Sequence, residues 1–344
     1  MRRIGGLWEQ LISMDTLERA AKIACASRKN KKEVKEFEKR KDELLHNLQT
    51  SIINHTYKSS EYRMFKVNEN GKERDVADLP LYPDRIFHWA LALVLEKPMN
   101  SKLIDQTHAS RPGHGIHSAM MNVNKYIVND SRAVFYLKCD VRKFFPSIDK
   151  EILKSKLRHV LKDSDILTEL DKLINQYPYS GLPIGNRTSP MLANLYLSEI
   201  DHMMKEKHHV HYYVRYMDDI VILGYSRPWL KRIRDTVASY LSDIGLNMKP
   251  NWIISAVDPF GIDFVGYRIF SDHILLRKRI KLNLKKAVKR MIFKLKSGDE
   301  LDVHDKGAIA SYTGFLMWCN GYNLYRSTIY EVLRLRECRR MDIS

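Results

Sequence analysis

The strongest constraint on the fold is a pair of adjacent acids inside an apolar stretch. Residues 214–223 read VRYMDDIVIL, so Asp218 and Asp219 lie between an aromatic residue and a run of branched aliphatic residues. The apolar stretches on both sides of the acids predict two strands around a turn over residues 211–224. Burial of two like charges is costly unless a cation neutralises them, and carboxylate oxygens favour a divalent metal ion. An acidic surface turn is the alternative, although such turns prefer Asn-Gly or Asp-Gly.

A third acid follows another apolar stretch. The strand predicted for residues 133–140, AVFYLKCD, ends directly in Asp140. If this strand lies beside the hairpin, Asp140 joins Asp218 and Asp219 in one cluster. Three carboxylates can hold two Mg²⁺ ions, with Mn²⁺ as the alternative ion, and such ions stabilise both the attacking and the leaving oxygen in phosphoryl displacement. The residues alone therefore indicate metal-dependent nucleotidyl transfer.

The charge of the chain indicates a polyanionic partner. There are 58 Lys and Arg residues against 41 Asp and Glu residues, a formal net charge of +17 over 344 residues. Nucleic acid is the leading partner class for such a chain, and a basic enzyme with another substrate is the alternative. The four cysteines include no CxxC pair, and we find neither a signal-peptide pattern nor a membrane-spanning stretch. We therefore expect a soluble cytoplasmic protein without a zinc site or disulfide scaffold.

Local patterns predict a mixed α/β part followed by a basic helical tail that begins near residue 275. Helical periodicity covers residues 7–56, with a charged block at 27–45 that reads as a solvated helix face. Further helices are predicted at 83–98, 149–161, 228–245, 280–298 and 308–325. Strands are predicted at 61–67 and 133–140, and a hairpin is predicted from 263–270 and 273–278.

Five motifs in a fixed order resemble those of reverse transcriptases. They are DVRKFFPSID at 140–149, GLPIGNRTSP at 181–190, YMDD at 216–219, LNMKPNW at 246–252 and DFVGYRIF at 263–270. The resemblance implies an α/β (α+β) right-hand polymerase with fingers, palm and helical thumb. Its expected parts are an N-terminal helical extension at 1–60, fingers at 61–132 with a helical insert at 150–180, a palm at 133–272 and a thumb at 273–344.

The resemblance also assigns roles to individual residues. Asp140, Asp218 and Asp219 match the metal ligands, and Lys249 matches a general acid for pyrophosphate departure, with a surface lysine as the alternative. The positions that match nucleotide-binding residues are Lys72, Arg74, Arg111, Phe145, Ile184, Gly185 and Tyr216. The primer grip corresponds to Phe264, Gly266 and Tyr267. The thumb residues expected on the nucleic-acid backbone are Lys278, Lys285, Lys286, Lys289 and Arg290.

Several of these positions have a second interpretation. Phe145 matches the aromatic gate that excludes a ribose 2′-OH, and a core phenylalanine is the alternative. Lys72 and Arg74 match the pair that holds the incoming triphosphate, and a solvated turn is the alternative. His114 and His117 are expected to be structural or to contact phosphate, because no ligand spacing supports zinc.

The sequence LPIG, together with RYMDDIVIL, is similar to the reverse transcriptases of diversity-generating retroelements. Those enzymes copy a template RNA into cDNA with frequent errors at adenine, and Ile184 lacks the amide that glutamine would place near the nascent pair. The Ser189-Pro190 ending of the loop is more typical of other reverse transcriptases, and related enzymes of antiphage defence are the alternative. A catalytically idle RNA-binding scaffold and protein-primed or template-independent synthesis are further alternatives.

The same resemblance implies a set of partners. A template RNA, a primer or cDNA strand and dNTPs are expected, together with a basic accessory protein and a structured non-coding RNA. No membrane partner is expected.

Overall fold

The computed structural model describes residues 3–26, 28–69 and 71–341, and the chain divides into two compact units. The first unit comprises residues 1–114, 139–220 and 232–252. The second comprises residues 115–138, 221–231 and 253–344.

Helices and strands occur in groups along the chain. The helices are α1 (Trp8–Ile12), α2 (Met14–Ala26), α3 (Lys32–Lys39), α4 (Lys41–Ile53), α5 (Ile86–Asn100), α6 (Ile116–Asn129), α7 (Phe144–Ser147), α8 (Lys150–Val160), α9 (Ser164–Gln176), α10 (Ser189–Tyr196), α11 (Ser198–His202), α12 (Arg227–Asp243), α13 (Lys278–Lys296), α14 (Val303–Leu316), α15 (Tyr322–Arg326) and α16 (Ile329–Met341). The strands are β1 (Arg63–Glu69), β2 (Lys72–Asp78), β3 (Phe135–Asp140), β4 (Tyr213–Tyr216), β5 (Asp219–Gly224), β6 (Ile253–Ala256), β7 (Ile262–Phe264), β8 (Tyr267–Ile269) and β9 (Ile274–Leu276).

The strands form three sheets. Strands β1 and β2 make an antiparallel hairpin, in register from Arg63 opposite Asp78 to Glu69 opposite Lys72. A four-stranded sheet has the order β4-β5-β3-β6, and β7, β8 and β9 form a small antiparallel sheet. In the four-stranded sheet, β3 lies next to β5, and β3 ends in Asp140. This is the neighbourhood that the predicted cluster of the three acids needs.

The core of the first unit is built around α5. This helix is apolar on nearly every face, as expected for a helix enclosed by other elements, and Phe87, Leu91 and Leu95 are fully buried. Helix α2 packs against it, and its Ala20 and Ala21 are also buried. These small side chains let the two helix backbones approach closely.

Two helix boundaries confirm the sequence predictions. Asp149 caps the start of α8, where its carboxylate accepts hydrogen bonds from the backbone N–H groups of Glu151 and Ile152 at 2.8 and 2.9 Å. Helix α12 ends two residues before Gly245, whose φ of +74° suits a residue that follows a helix end.

Two other predictions were wrong in detail. Residues 308–325 are not one helix, because strand β9 binds the segment between α14 and α15. The backbone N–H of Asn320 donates to the Ile274 carbonyl, and its side-chain oxygen accepts from the Ile274 N–H, both at 2.8 Å. The charged block at 27–45 is not only a solvated face, since Val34 and Phe37 in α3 are buried.

The mixture of helices and strands confirms the α+β class. The predicted limits of the extension, fingers, palm and thumb stay a prediction. Within the described ranges, no helix combines the length and the apolar character needed to cross a bilayer.

Candidate active site

The adjacent acids lie at a tight reversal between β4 and β5. Tyr216 is the last residue of β4 and Asp219 is the first residue of β5, so Met217 and Asp218 form the turn. Met217 has a φ of +54°, in a left-handed region that residues other than glycine rarely adopt. The residues of β5 that follow Asp219 are all buried, which anchors the turn to the core. The predicted hairpin is confirmed.

Asp140 reaches the same place from the end of β3. The backbone N–H of the next residue, Val141, donates to the Asp218 carbonyl at 3.3 Å. The carboxyl groups of Asp140 and Asp218 lie within hydrogen-bonding reach of each other. Burial, followed by repulsion from the Asp140 carboxylate, raises the pKa of Asp218 to about 7. The two acids therefore form a close pair that resists carrying two negative charges.

Lys249 completes this pair. Its Nζ lies 2.5 Å from Oδ1 of Asp140, and its backbone N–H donates to the Asp140 carbonyl at 2.8 Å. Both side chains are about one-third exposed, at 29% for Lys249 and 33% for Asp140. The lysine is therefore held beside the acids and still accessible to a reactant. Its role as a general acid stays a prediction.

The donor set fits a hard divalent cation. Asp140, Asp218 and Asp219 offer carboxylate oxygens, which Mg²⁺ and Mn²⁺ prefer, and all three residues are half-buried. Their ligand atoms do not all lie within 4.8 Å of one another in the described chain. The raised pKa of Asp218 and the contact of Lys249 with Asp140 both indicate that positive charge is favourable beside these carboxylates.

Hydrogen bonds tie the loop at 181–190 to two other parts of the first unit. The backbone N–H of Leu182 donates to the Phe145 carbonyl at 2.9 Å. The N–H of Ala77, near the end of β2, donates to the Ile184 carbonyl at 2.8 Å. Three segments for which nucleotide contacts were predicted therefore lie together.

The surroundings of Phe145 agree partly with each of its two predicted roles, an aromatic gate and a core side chain. Its side chain is half-buried, and its ring lies edge-on to the buried ring of Phe144 with centroids 5.6 Å apart. Part of the ring is thus free to meet a ligand, while the rest contributes to packing. The gate role stays a prediction.

His88 is hydrogen-bonded to the loop at 181–190, and sequence reasoning missed this contact. It is buried in α5, with Nδ1 2.9 Å from the Thr188 hydroxyl and Nε2 3.3 Å from the Asn186 amide nitrogen. The Asn186 amide also donates to the Tyr62 hydroxyl at 3.0 Å. Because an amide nitrogen only donates, Nε2 of His88 must accept and therefore be unprotonated. A lone histidine in the apolar sequence FHWALALVL gives no indication of this contact.

We expect His88 to contribute a loss of stability as the pH falls from 6.5 to 4. Burial lowers the pKa of His88 to about 4, with Asp84 opposing and Arg85 reinforcing the shift. In that range His88 binds a proton more readily in the unfolded chain than in the folded chain, so its contribution to the free energy of unfolding falls as the pH falls. Urea unfolding at pH 7, 6 and 5 measures the pH slope of the free energy of unfolding, and His88→Gln should remove the His88 contribution from that slope.

The slope should not vanish, because burial also lowers the pKa of His108 to about 4. His46→Gln is the matched control, since His46 is exposed on α4 and should leave the slope unchanged. An identical slope for His88→Gln and the wild type would contradict the prediction.

The other residues predicted to bind nucleotide are less closely grouped. Arg74 is exposed on β2, opposite Val67 of β1. Lys72 begins β2, and its side chain lies outside the described part of the structure. Arg111 donates from Nη1 to the carbonyls of Ile104 and Thr107, both at 2.6 Å, and so holds its own loop together. The binding roles of these three residues stay predictions.

The predicted primer grip lies in the second unit and is mostly core. Phe264 and Tyr267 are fully buried, and Gly266 between them has a φ of +94°. The Tyr267 hydroxyl donates to the Phe315 carbonyl at 3.1 Å and lies 2.9 Å from His117 Nδ1. These contacts fix the shape of the turn, and they show a structural environment for His117.

The predicted backbone-binding residues all lie on α13. The lysines 278, 285, 286 and 289 are exposed, whereas Arg290 donates to the buried Asp305 at 2.7 Å. Asp305, Asp302 and His304 bring ligand atoms within 4.8 Å of one another, but Lys294 pairs with both carboxylates at 2.7 and 2.8 Å. Arg290 and Lys294 therefore already neutralise this acidic group.

The chain was also compared with known families. Residues 64–269 match the family described as reverse transcriptase (RNA-dependent DNA polymerase). The chain belongs to this family. Reverse transcriptase domains generally use divalent metal ions, which agrees with the donor set at Asp140, Asp218 and Asp219.

Curated relatives match parts of the chain. The retron Ec73 reverse transcriptase of Escherichia coli is 30% identical over 175 residues, covering 46% of this chain and 55% of that protein. The group II intron-encoded protein LtrA of Lactococcus lactis subsp. cremoris is 27% identical over 148 residues, covering 40% of this chain and 24% of that protein. The chain thus spans between a quarter and just over half of these relatives.

Among solved structures, apo telomerase from Candida tropicalis matches 74% of this chain and 56% of its own. The sequence identity is 12% and the TM-score is 0.49. A likeness of this degree carries no further conclusion about this chain.

Proposed function

We propose that this chain is an RNA-dependent DNA polymerase that extends a primer on a template RNA. The observation that carries the proposal is the contact of Asp140 with Asp218 and Lys249 at the end of a buried hairpin. Such an arrangement suits a reaction in which negative charge develops on phosphate oxygens. Membership of the reverse transcriptase family supports the same reaction.

The chemistry divides among the residues of the first unit. Divalent ions held by Asp140, Asp218 and Asp219 would supply positive charge to the primer 3′-oxygen and to the departing pyrophosphate. Lys249 lies on Asp140 and would give a proton to the leaving group. Tyr216, at the end of β4, would support the primer terminus.

The exposed lysines of α13 are proposed to hold the template–primer backbone. Contacts of this kind supply affinity without reading sequence, and the affinity should weaken steeply as the salt concentration rises. The proposed partners are therefore a template RNA and a primer or cDNA strand, with dNTPs as substrates.

Primer extension on a defined RNA template tests the proposal. Wild-type protein with Mg²⁺ and all four dNTPs should extend a labelled DNA primer, and Asp140→Asn should not. Extension by the Asp140→Asn protein would show that the activity does not depend on this site. Absence of extension by the wild type, repeated with co-expressed neighbouring genes, would favour an idle RNA-binding scaffold.

Within this activity, we propose error-prone cDNA synthesis of the diversity-generating type in the cytoplasm. The support is Ile184, which replaces a polar amide by an aliphatic group in the loop that contacts β2. An aliphatic side chain offers no hydrogen bond to the nascent base pair, so base selection is looser. A basic accessory protein and a structured RNA are proposed partners of this type.

Ile184→Gln is expected to lower the frequency of errors opposite template adenine. The added amide can hydrogen-bond near the nascent base pair. A gained hydrogen bond changes the preference for the correct over an incorrect nucleotide by about tenfold. Sequencing of extension products from both proteins on one adenine-rich template measures the change. Ile53→Gln, an exposed substitution on α4, is the control. An unchanged error spectrum in Ile184→Gln would remove this support.

A reverse transcriptase of antiphage defence is the second candidate. The observation that favours it is the Ser189-Pro190 ending of the loop, which begins α10. A low error rate at adenine in the wild type would favour this candidate over mutagenic synthesis.

A further inference from the structure

An arginine is completely buried beneath the acidic turn. Arg215 lies on β4, two residues before Met217, and has no exposed surface. Its ion-pair partner, Asp201 on α11, is equally buried. A charged pair without solvent contact is uncommon, because each charge must be removed from water.

Three further side chains hydrogen-bond to this pair. Arg215 donates from Nε and Nη2 to the two Asp201 carboxylate oxygens at 2.7 and 2.6 Å. The hydroxyls of Tyr213 and Thr107 donate to the same oxygens at 2.6 and 2.8 Å. Nη1 of Arg215 donates to the side-chain oxygen of Asn194 at 3.1 Å. The guanidinium is therefore fixed in one orientation.

The remaining bond of Nη1 reaches the acidic turn itself. It donates to the Met217 carbonyl at 2.9 Å. Met217 is the left-handed residue of the turn, and its carbonyl belongs to the peptide that leads into Asp218. A strained backbone conformation persists only where its surroundings hold it. Arg215 holds the Met217 carbonyl, while Val141 holds the Asp218 carbonyl.

Stability alone does not account for this arrangement. Replacement of a buried ion pair by neutral groups is often harmless to stability, whereas a single bond to a turn can set the position of the side chains that follow. The direct contact with the Met217 carbonyl links the buried pair to the orientation of Asp218.

We propose that Arg215, fixed by Asp201, is a positioning residue that sets the turn so that Asp218 and Asp219 share a metal ion with Asp140. The proposal rests on the polymerase function proposed above. It predicts that loss of the Arg215 bond weakens metal binding and the chemical step while leaving nucleic-acid binding unchanged.

The main test is the double variant Asp201→Asn/Arg215→Met, which leaves no charge buried and keeps an acceptor for Tyr213 and Thr107. We expect kcat to fall about 100-fold. The template–primer Kd and the KM for dNTP should change by less than about twofold. Binding of Mn²⁺ to the protein without nucleic acid, followed by electron paramagnetic resonance, should weaken about tenfold. Arg215→Lys, which keeps the cation but cannot span both Asp201 and the Met217 carbonyl, should give an intermediate loss.

Lys156→Met is the matched control. Lys156 is also buried in the first unit, where it pairs with Glu199 at 2.5 Å, and no bond from its side chain reaches the turn. It should lower the unfolding temperature without changing Mn²⁺ binding or kcat at a temperature where the protein is folded.

Several outcomes would overturn the proposal. The proposal would be wrong if the folded double variant kept the Mn²⁺ affinity and kcat of the wild type. It would also be wrong if Lys156→Met lost as much Mn²⁺ affinity and kcat as the double variant. If the double variant does not fold, wild-type values in Arg215→Lys would have the same meaning. If the wild type does not polymerise, the Mn²⁺ measurement still tests the role of Arg215, so the two proposals can fail separately.

Discussion

Replacement of Asp218 by asparagine is expected to abolish RNA-templated extension while making the metal-free protein more stable. The amide would offer one neutral oxygen in place of a carboxylate, and the loss in kcat should reach about a thousandfold or more. The same change removes a buried charge that faces Asp140, so the unfolding temperature should rise by a few degrees, about 1 kcal/mol or more.

The pH dependence sharpens this prediction. The pKa of Asp218 is raised to about 7, so between pH 4 and pH 7 this carboxyl binds a proton more readily in the folded chain than in the unfolded chain. The contribution of Asp218 to the free energy of unfolding therefore falls as the pH rises through this range, opposite in sign to that of His88, and the neutral amide of the variant removes it. Thermal unfolding in EDTA should show a larger gain for Asp218→Asn at pH 8 than at pH 5.

Asp171→Asn provides the control for both readouts. Asp171 forms an ion pair with Arg158 away from the turn, and its replacement should leave extension unchanged. Retention of most extension in Asp218→Asn, or a fall in its unfolding temperature at pH 8, would contradict the assignment of Asp218 as a crowded metal ligand.

The second large effect is expected at Gly181, where the 181–190 loop passes closest to the chain around Phe145. Gly181 has a φ of +72°, and a Cβ there would lie 2.0 Å from the Phe145 carbonyl oxygen and 2.6 Å from a backbone atom of Pro146. Neither atom belongs to a flexible side chain, so the loop must move. Gly181→Ala should destabilise the protein by about 3 kcal/mol and lower extension more than tenfold.

Gly245→Ala separates the steric effect from backbone strain. Gly245 has almost the same φ, +74°, but a Cβ there would have no neighbour within 4 Å. The cost should be about 1 kcal/mol, the ordinary penalty for alanine in a left-handed conformation. Urea unfolding and extension assays measure both variants. Equal effects at the two positions would show that the loop does not need its close approach to Phe145.

The acidic site was largely predictable from local sequence. The apolar stretches on both sides of Asp218 and Asp219 indicate the hairpin, and the apolar run before Asp140 indicates a strand that ends in an acid. That the strands are neighbours in the sheet depends on long-range pairing, which periodicity does not record. Family resemblance assigned Lys249 a role as general acid, but its contact with Asp140 was not predicted.

The buried polar contacts were not predictable in this way. Arg215 and Asp201 belong to different elements, and charged residues are ordinarily expected on the surface. The break between α14 and α15 has the same cause, because Asn320 is bound by Ile274, 46 residues earlier in the chain. Such features depend on which partner a polar group meets in the folded state, and single-sequence patterns do not contain that information.

The pairing of Lys249 with Asp140 makes cation binding a competition. A divalent ion held by Asp140 would compete with the ammonium group of Lys249 for the same carboxylate, so the measured metal affinity would be reduced by whatever the lysine contributes to the pair. By reciprocity, metal binding would weaken the contact of the lysine with Asp140. Filling of the metal site would thus favour release of the proton donor proposed for pyrophosphate departure, which would give the site an order of assembly.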